Sequence, residues 1–266
     1  MSPVIAILLG TIQGLTEFLP VSSSGHLAIA QHFIQDFSQP GVFFDIVVHL
    51  GTLLAVLMYF WKEILFLLNG LSPSRSGRDG RRLIVLLVIG TIPAVIAALT
   101  IGDWVEESFE SLLAVGIALC ITGCLLLVTP RFASGRRQLS EVSPLDAVII
   151  GAFQSVALFP GISRSGSTII AGLMRGIDRH DSARFSFLLS IPAIIGATVF
   201  NFRDAMSLPA EDHLAYGLAF LTAFVVGYVA IHLVVRLLAS HRFHLFGYYC
   251  LLLGGCLLVY ITVRPS

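Results

Sequence analysis

Six stretches of this chain are apolar for long enough to cross a membrane as helices, at 44–61, 83–101, 112–129, 184–201, 214–235 and 245–263; crossing the hydrocarbon core takes about 20 residues. Stretches 83–101 and 245–263 hold no charged residue at all. Two further apolar stretches behave differently. Residues 3–19 run up to Glu17 and then meet Pro20 and a Ser/Gly-rich turn. Residues 145–159 run up to Phe159-Pro160-Gly161, with Ser163-Arg164-Ser165-Gly166 behind. Each is followed by a second short apolar piece, 27–34 and 169–174. A short helix, a polar turn and a short helix back predict a re-entrant hairpin. Non-helical backbone at membrane depth is tolerated only where it lines protein or a water-filled cavity.

The two odd segments match each other. A shift of 141 residues lays Gly10 on Gly151, Gln13 on Gln154, Phe18 on Phe159, Ser22 on Ser163, Ser24 on Ser165 and Gly25 on Gly166. The same register aligns the span from Phe44 with the span from Phe185. The chain therefore reads as one membrane domain of two repeats, 1–129 and 145–264, each a hairpin plus three spans. An odd number of spans reverses the second half. The expected fold is an all-α polytopic membrane protein, six transmembrane helices plus two re-entrant helical hairpins, with an inverted-topology internal repeat whose hairpins meet near the midplane.

Composition agrees with that class. Hydrophobic residues make up 56% of the chain and charged ones 12%, against about 25% charged in soluble proteins, and the mean hydropathy is +0.90. Disorder needs the opposite balance. Sixteen basic residues match sixteen acidic ones, so the basic excess of a nucleic-acid binder is missing. The balance conceals an uneven layout. If loop 62–82 is cytoplasmic, so are Lys62, Arg75, Arg78, Arg81, Arg82, Arg131, Arg136, Arg137, Arg175, Arg179, Arg184, Arg236 and Arg242. Outside fall Arg203, Arg264 and the acidic loop with Asp103, Glu106, Glu107 and Glu110. This is the positive-inside pattern, and it makes both termini external. The apolar start lacks a basic n-region and a cleavage site, so no cleaved signal is expected. Cys120, Cys124, Cys250 and Cys256 sit in apolar runs and read as small buried hydrophobes.

Ionisable groups at membrane depth point to function, and the hairpin turns carry three: Glu17, His26 and Arg164. Around them lie Gln13, Ser22, Ser23, Ser24, Ser163, Ser165, Ser167, Thr168, Gly25, Gly161 and Gly166. Arginine offers a fork of donors for phosphate oxygens. Helices beginning after each turn aim their positive ends at one spot. A carboxylate beside an anion site suits a divalent metal bridging it to phosphate, and histidine serves as acid or base near neutral pH. Together they describe a diphosphate site inside a membrane. Simpler readings stand beside it: Glu17 and Arg164 as a structural ion pair, the serines as satisfiers of loop backbone, His49 and His232 as packed or hydrogen-bonded core histidines, Asp45 as a helix-start residue, and Pro93 and Pro192 as kinks.

The run Gln13-Gly14-Leu15-Thr16-Glu17-Phe18-Leu19-Pro20-Val21-Ser22-Ser23-Ser24-Gly25-His26 resembles the first motif of the undecaprenyl-diphosphatase (bacitracin-resistance) family. Pro160-Gly161-Ile162-Ser163-Arg164-Ser165-Gly166-Ser167-Thr168 resembles its second. The resemblance implies an integral-membrane phosphatase of the bacterial inner membrane. It would use Mg²⁺ or Ca²⁺ to remove the terminal phosphate of the C55 isoprenyl diphosphate, recycling the lipid carrier of peptidoglycan synthesis. It marks Glu17, Ser23, His26 and Arg164 as catalytic, with Glu17 also on the metal. It marks Gln13, Ser22, Ser24, Gly25, Ser163, Ser165, Gly166 and Thr168 as substrate-binding. His26 is expected to activate the nucleophile, either Ser23 or water. Position 13 is Glu or Gln in that family, and Gln13 leaves one carboxylate in the first motif. The expected partners are the polyprenyl diphosphate and membrane lipids, with no nucleic acid; a homodimer is an open alternative. The rival function is a polyprenyl-phosphate transporter using the same pocket.

Overall fold

The computed structural model describes residues 1–34, 43–72, 77–132, 135–200, 213–239 and 242–263. Arg75, Arg203 and Arg264, which entered the expected topology, lie outside them. The described residues form eleven α-helices and no strand: α1 (Pro3–Phe18), α2 (Ser23–Phe33), α3 (Phe43–Tyr59), α4 (Trp61–Gly70), α5 (Arg78–Glu110), α6 (Leu112–Leu127), α7 (Pro144–Val156), α8 (Arg164–Met174), α9 (Arg179–Phe200), α10 (His213–Ala239) and α11 (Leu245–Val263).

Local chemistry explains where the hairpin helices start. The hydroxyl of Ser2 accepts from the Ile5 amide, and that of Ser143 accepts from the Asp146 amide, with Pro3 and Pro144 directly inside. A serine N-cap followed by proline is a preferred helix opening. The second helices differ from expectation. They begin at Ser23 and Arg164, not at 27 and 169, because Ser22 and Ser163 cap them by accepting from the Gly25 and Gly166 amides. The polar motif residues are therefore the first helical turn rather than the non-helical loop.

Four helices, α5, α9, α10 and α11, are long and apolar enough to cross a membrane, and α3 with α4 would be a fifth span bent by 81°. The expected span 112–129 is a 16-residue helix, α6, followed by a short 3₁₀ turn, Thr129–Phe132; Pro130 has no amide hydrogen to carry the helix on. Helix α5 contains Pro93, but its non-helical residue is Ile101. Exposed Val85, Val88, Ile92, Val95, Ile96 and Leu99 lie along one face of α5, an apolar stripe that suits lipid rather than water. These are the features of a multi-pass membrane protein.

Helix α1 packs along α10, α7 along α5, α3 along α10 and α6 along α11. Two glycines permit the closest approaches. A β-carbon on Gly10 would lie 2.5 Å from the Ala219 carbonyl, and one on Gly151 would collide with the Gly90 carbonyl. Between the hairpins, buried Phe18 meets Phe187 edge-on at 5.7 Å, in a core that also holds Phe185, Ile169 and Leu173.

At the start of α7 the fully buried Asp146 carboxylate accepts from Arg137 Nη2 at 2.6 Å, Arg175 Nε at 2.7 Å and both the amide and hydroxyl of Ser143 at 2.8 Å. Burial pushes this carboxyl up. The hydrogen bonds from Arg137, Ser143 and Arg175 outweigh burial and hold it well below the usual carboxylate range. The cluster ties the segment before α7 to the end of α8.

Candidate functional site

The last turn of α1 and the first turns of α2 and α8 converge on Glu17. Its side chain is buried, and its two oxygens accept from three side chains. Arg164 Nη2 donates to Oε1 at 2.5 Å. Ser23 Oγ donates to Oε2 at 2.6 Å, and Gln13 Nε2 donates to the same oxygen at 3.0 Å. Glu17 and Gln13 share a face because they are one helical turn apart. Arg164 reaches Glu17 from the first residue of α8, so the ion pair joins the two hairpins.

The turns are stitched together as well. Ser22 Oγ accepts from the Gly161 amide at 3.0 Å and lies 3.2 Å from Ser24 Oγ. Ser163 Oγ lies 3.3 Å from Ser165 Oγ, which donates to the Leu19 carbonyl at 3.0 Å. A β-carbon on Gly25 would sit 2.9 Å from the Gly161 α-carbon, so backbone meets backbone here. Gly161 has φ +99°. Ser22 has φ 70°, a region serine rarely adopts. The first turn of α2 meets the turn that leads into α8 across this contact.

Of the residues named from sequence, Glu17, Ser23, Gln13 and Arg164 form one bonded cluster, and Ser22, Ser24, Gly25, Ser163, Ser165 and Gly166 form the capped turns around it. Thr168 is directed elsewhere: its hydroxyl lies 2.6 Å from Ser186 Oγ and donates to the Arg164 carbonyl at 2.8 Å. His26 does not bond Ser23. Its Nδ1 lies 2.7 Å from the Ser22 carbonyl, and its Nε2 lies 2.6 Å from the Tyr249 hydroxyl. Ser23 is paired with Glu17, and of the two nucleophiles expected for His26, Ser23 or water, this geometry leaves water, because one helical turn separates Ser22 from His26 and turns the ring back onto the cap.

Three further residues belong to this neighbourhood. His49 Nε2 comes within 3.6 Å of Glu17 Oε2 while its Nδ1 bonds the Asp45 carbonyl. It was read from the sequence as a packed or hydrogen-bonded histidine; the hydrogen bond is there, and the approach to Glu17 is what that reading did not include. His232 is not a core histidine; it is exposed, beside Tyr59 and Tyr228. Tyr249 and Thr122 left no sequence signal. The Thr122 hydroxyl donates to the Gly161 carbonyl at 2.8 Å and accepts from the Ser163 amide at 3.0 Å.

Two polar atoms in the cluster are buried with no bonding partner among the described residues, Arg164 Nη1 and Gln13 Oε1. The first is a cationic donor that calls for an anion; the second is an oxygen that calls for a donor or a cation. Among the described residues no three His, Cys, Asp or Glu side chains gather to hold a metal by themselves. Glu17 together with Gln13 Oε1 fits a divalent cation that takes its remaining ligands from phosphate and water, as Mg²⁺ commonly does.

Comparison with known proteins gives a consistent result. The family described as "Bacitracin resistance protein BacA" matches residues 6–256. A protein of Desulfosudis oleivorans named "Undecaprenyl-diphosphatase" is 46% identical over 268 residues, covering 96% of this chain and 97% of its own. One of Syntrophotalea carbinolica with the same name is 43% identical over 256 residues, covering 96% and 97%. "Undecaprenyl-diphosphatase 4" of Bacillus thuringiensis subsp. konkukian is 41% identical over 251 residues, covering 94% and 93%.

Proposed function

We infer that this chain, which belongs to the bacitracin resistance protein BacA family, hydrolyses undecaprenyl diphosphate to undecaprenyl phosphate and inorganic phosphate. It is a membrane phosphatase, and bacitracin resistance is the consequence that the family's description carries. The observation behind this reading is the Arg164–Glu17–Ser23 constellation, with Arg164 Nη1 buried and unpartnered. A hydroxyl donating to a buried carboxylate is a nucleophile beside its base, and the free guanidinium arm is a place for a phosphate oxygen.

The reaction follows from that arrangement. The lipid tail lies between helices and the diphosphate enters at the paired turns. Its oxygens take Arg164, whose shift away from Glu17 leaves the carboxylate free to accept the Ser23 proton. Ser23 Oγ bonds to the terminal phosphorus while the bridging P–O bond breaks, and undecaprenyl phosphate leaves. Water then attacks the phosphorus as His26 takes its proton, the P–O bond to Ser23 breaks, Glu17 returns its proton to Ser23 Oγ, and inorganic phosphate leaves. Gln13, Glu17 and the diphosphate would hold a divalent cation, which when bound offsets charge on the transferring phosphoryl group. Ser22, Ser24, Gly25, Ser163, Ser165 and Gly166 shape the turns that receive the diphosphate, and Thr168 fixes the first turn of α8.

The topology belongs to the same reading: re-entrant hairpins α1–α2 and α7–α8, and six spans, α3, α5, α6, α9, α10 and α11, with α4 in the cytoplasmic loop, in two inverted halves, 1–129 and 145–264. Several observations support it. Helices α2 and α8 start and stop at the same offset, and Ser2 and Ser143 cap at that offset too. Helix α1 packs on α10 as α7 packs on α5. Helix α6, at about 1.5 Å per residue, covers most of the hydrocarbon thickness. Both termini are external, in the bacterial plasma membrane.

Phosphate release from undecaprenyl diphosphate by the purified protein, with and without EDTA, tests the function. Glu17→Ala, His26→Ala and Arg164→Ala are expected to fold and to lose on the order of 10²–10³ in rate. Wild-type rates in any of them would sink the assignment of that residue. Binding without metal-dependent release would favour the transporter.

A further inference from the structure

We propose that Tyr249, on the last helix, is a positioning residue of this site that holds His26 as one tautomer with its basic nitrogen aimed. The inference rests on the reading that His26 takes part in phosphoryl transfer.

The geometry is specific. A backbone carbonyl only accepts, so the 2.7 Å contact between His26 Nδ1 and the Ser22 carbonyl puts a proton on Nδ1. A neutral imidazole then has its lone pair on Nε2, and the Tyr249 hydroxyl at 2.6 Å must donate to it. The rings also stack, with planes 9° apart and centroids at 5.7 Å. Two hydrogen bonds and a stacking contact leave the imidazole little freedom of rotation. One anchor is Ser22, whose φ of 70° belongs to the strained turn; the other comes from 223 residues away in sequence. The tyrosine is exposed, so burial of its ring does not account for its place. Its hydroxyl makes this bond to the one histidine at the turns. Substrate or water arriving at His26 has to exchange with that hydroxyl. Tyr249 therefore keeps Nε2 occupied and neutral until the reaction needs it.

The test uses full-length protein in lipid nanodiscs, labelled with ¹⁵N-histidine, the His26 signals being assigned by their loss in His26→Gln. Wild type is expected to show a protonated Nδ1 and a hydrogen-bonded, unprotonated Nε2. In Tyr249→Phe, which keeps the ring, the Nε2 signal should move to that of a nitrogen without a donor. Its kcat should fall about three- to tenfold with KM nearly unchanged, the size expected for one hydrogen bond. Tyr248→Phe, at the exposed neighbour, should leave both readouts as in wild type. In a His26→Gln background Tyr249→Phe should cost nothing more. An Nε2 signal and kcat unchanged by Tyr249→Phe would overturn the proposal. Wild-type activity in His26→Gln would instead overturn the reading of the site and the catalytic purpose of the pair, while the nitrogen spectrum still decides whether the tyrosine sets the tautomer.

Discussion

At the scale of single residues, the site depends on one carboxylate that holds three partners at once. Glu17 binds Arg164, Ser23 and Gln13, so each partner can be removed with a distinct outcome. Ser23→Ala removes the proposed nucleophile and is expected to lose on the order of 10²–10³ in kcat, with no phosphoseryl species trapped on acid quenching. Trapping of that species on wild type checks the covalent route; a wild type that never forms it points to direct attack by water. Arg164→Lys keeps the charge but loses the planar fork. A single ammonium lacks the second nitrogen and the two-pronged geometry that the guanidinium would offer to phosphate oxygens, and the expected loss is about 10²-fold in kcat/KM for undecaprenyl diphosphate. If lysine sustains wild-type kcat/KM, the second arm has no role. Gln13 shows how far residue type alone carries. Its amide was legible as a site residue from the motif, but which atom faces Glu17 and which is left unpartnered emerges only from the fold.

At the scale of elements, runs of apolar residues located the helices well because membrane spans must satisfy every backbone group internally. They placed the second hairpin helices wrongly at their starts. Polar composition looked like loop, whereas Ser22 and Ser163 are caps and the serines behind them are first-turn residues. Likewise the offset of 141 was legible from Gly10, Gly151 and the serines, while what those glycines do is a matter of packing. Gly10→Ala is expected to destabilise by about 1–3 kcal/mol, the usual cost of overpacking, because the new methyl meets backbone on α10 and not a side chain that could move. Gly102→Ala, with open space around it, is the control and should leave thermal stability in detergent unchanged or raise it. The Asp146 cluster gives a second element-scale expectation. Asp146→Asn leaves Arg137 and Arg175 without a carboxylate, but both are part-exposed and rehydrate, so the cost should be about 2–3 kcal/mol rather than the larger figures for wholly buried pairs. A carboxyl held below its usual range contributes stability that is complete above that range and is lost only as pH falls through the lowered value. The gap in melting temperature between wild type and Asp146→Asn is therefore expected to stay constant from about pH 8 to 5. A gap that closes within that window would show the cluster to be weak.

At the scale of the whole molecule, the charge layout and the repeat make one joint demand, that the two hairpins approach the same site from opposite sides. The Glu17–Arg164 pair is one of the physical links between the halves, and on the proposed reading neither hairpin carries the chemistry alone: Leu158 stands where the repeat would place a second Glu17, and Gln154, the counterpart of Gln13, is buried with its amide unpartnered among the described residues. Under the proposed function the repeat would be a scaffold for an asymmetric site, the first hairpin supplying base and nucleophile and the second the guanidinium. Orientation can be checked directly. With Cys124 and Cys256, the exposed native thiols, replaced by serine, a cysteine introduced at Glu107 should react with a membrane-impermeant maleimide added outside intact cells. One at Arg78 should react only after the inner face is opened. The reverse pattern would invert the molecule, put the mouth of the first hairpin in the cytoplasm and move phosphate release to that side. Labelling of both positions from outside would break the link between the basic loops and topology, and with it the argument that the halves are inverted.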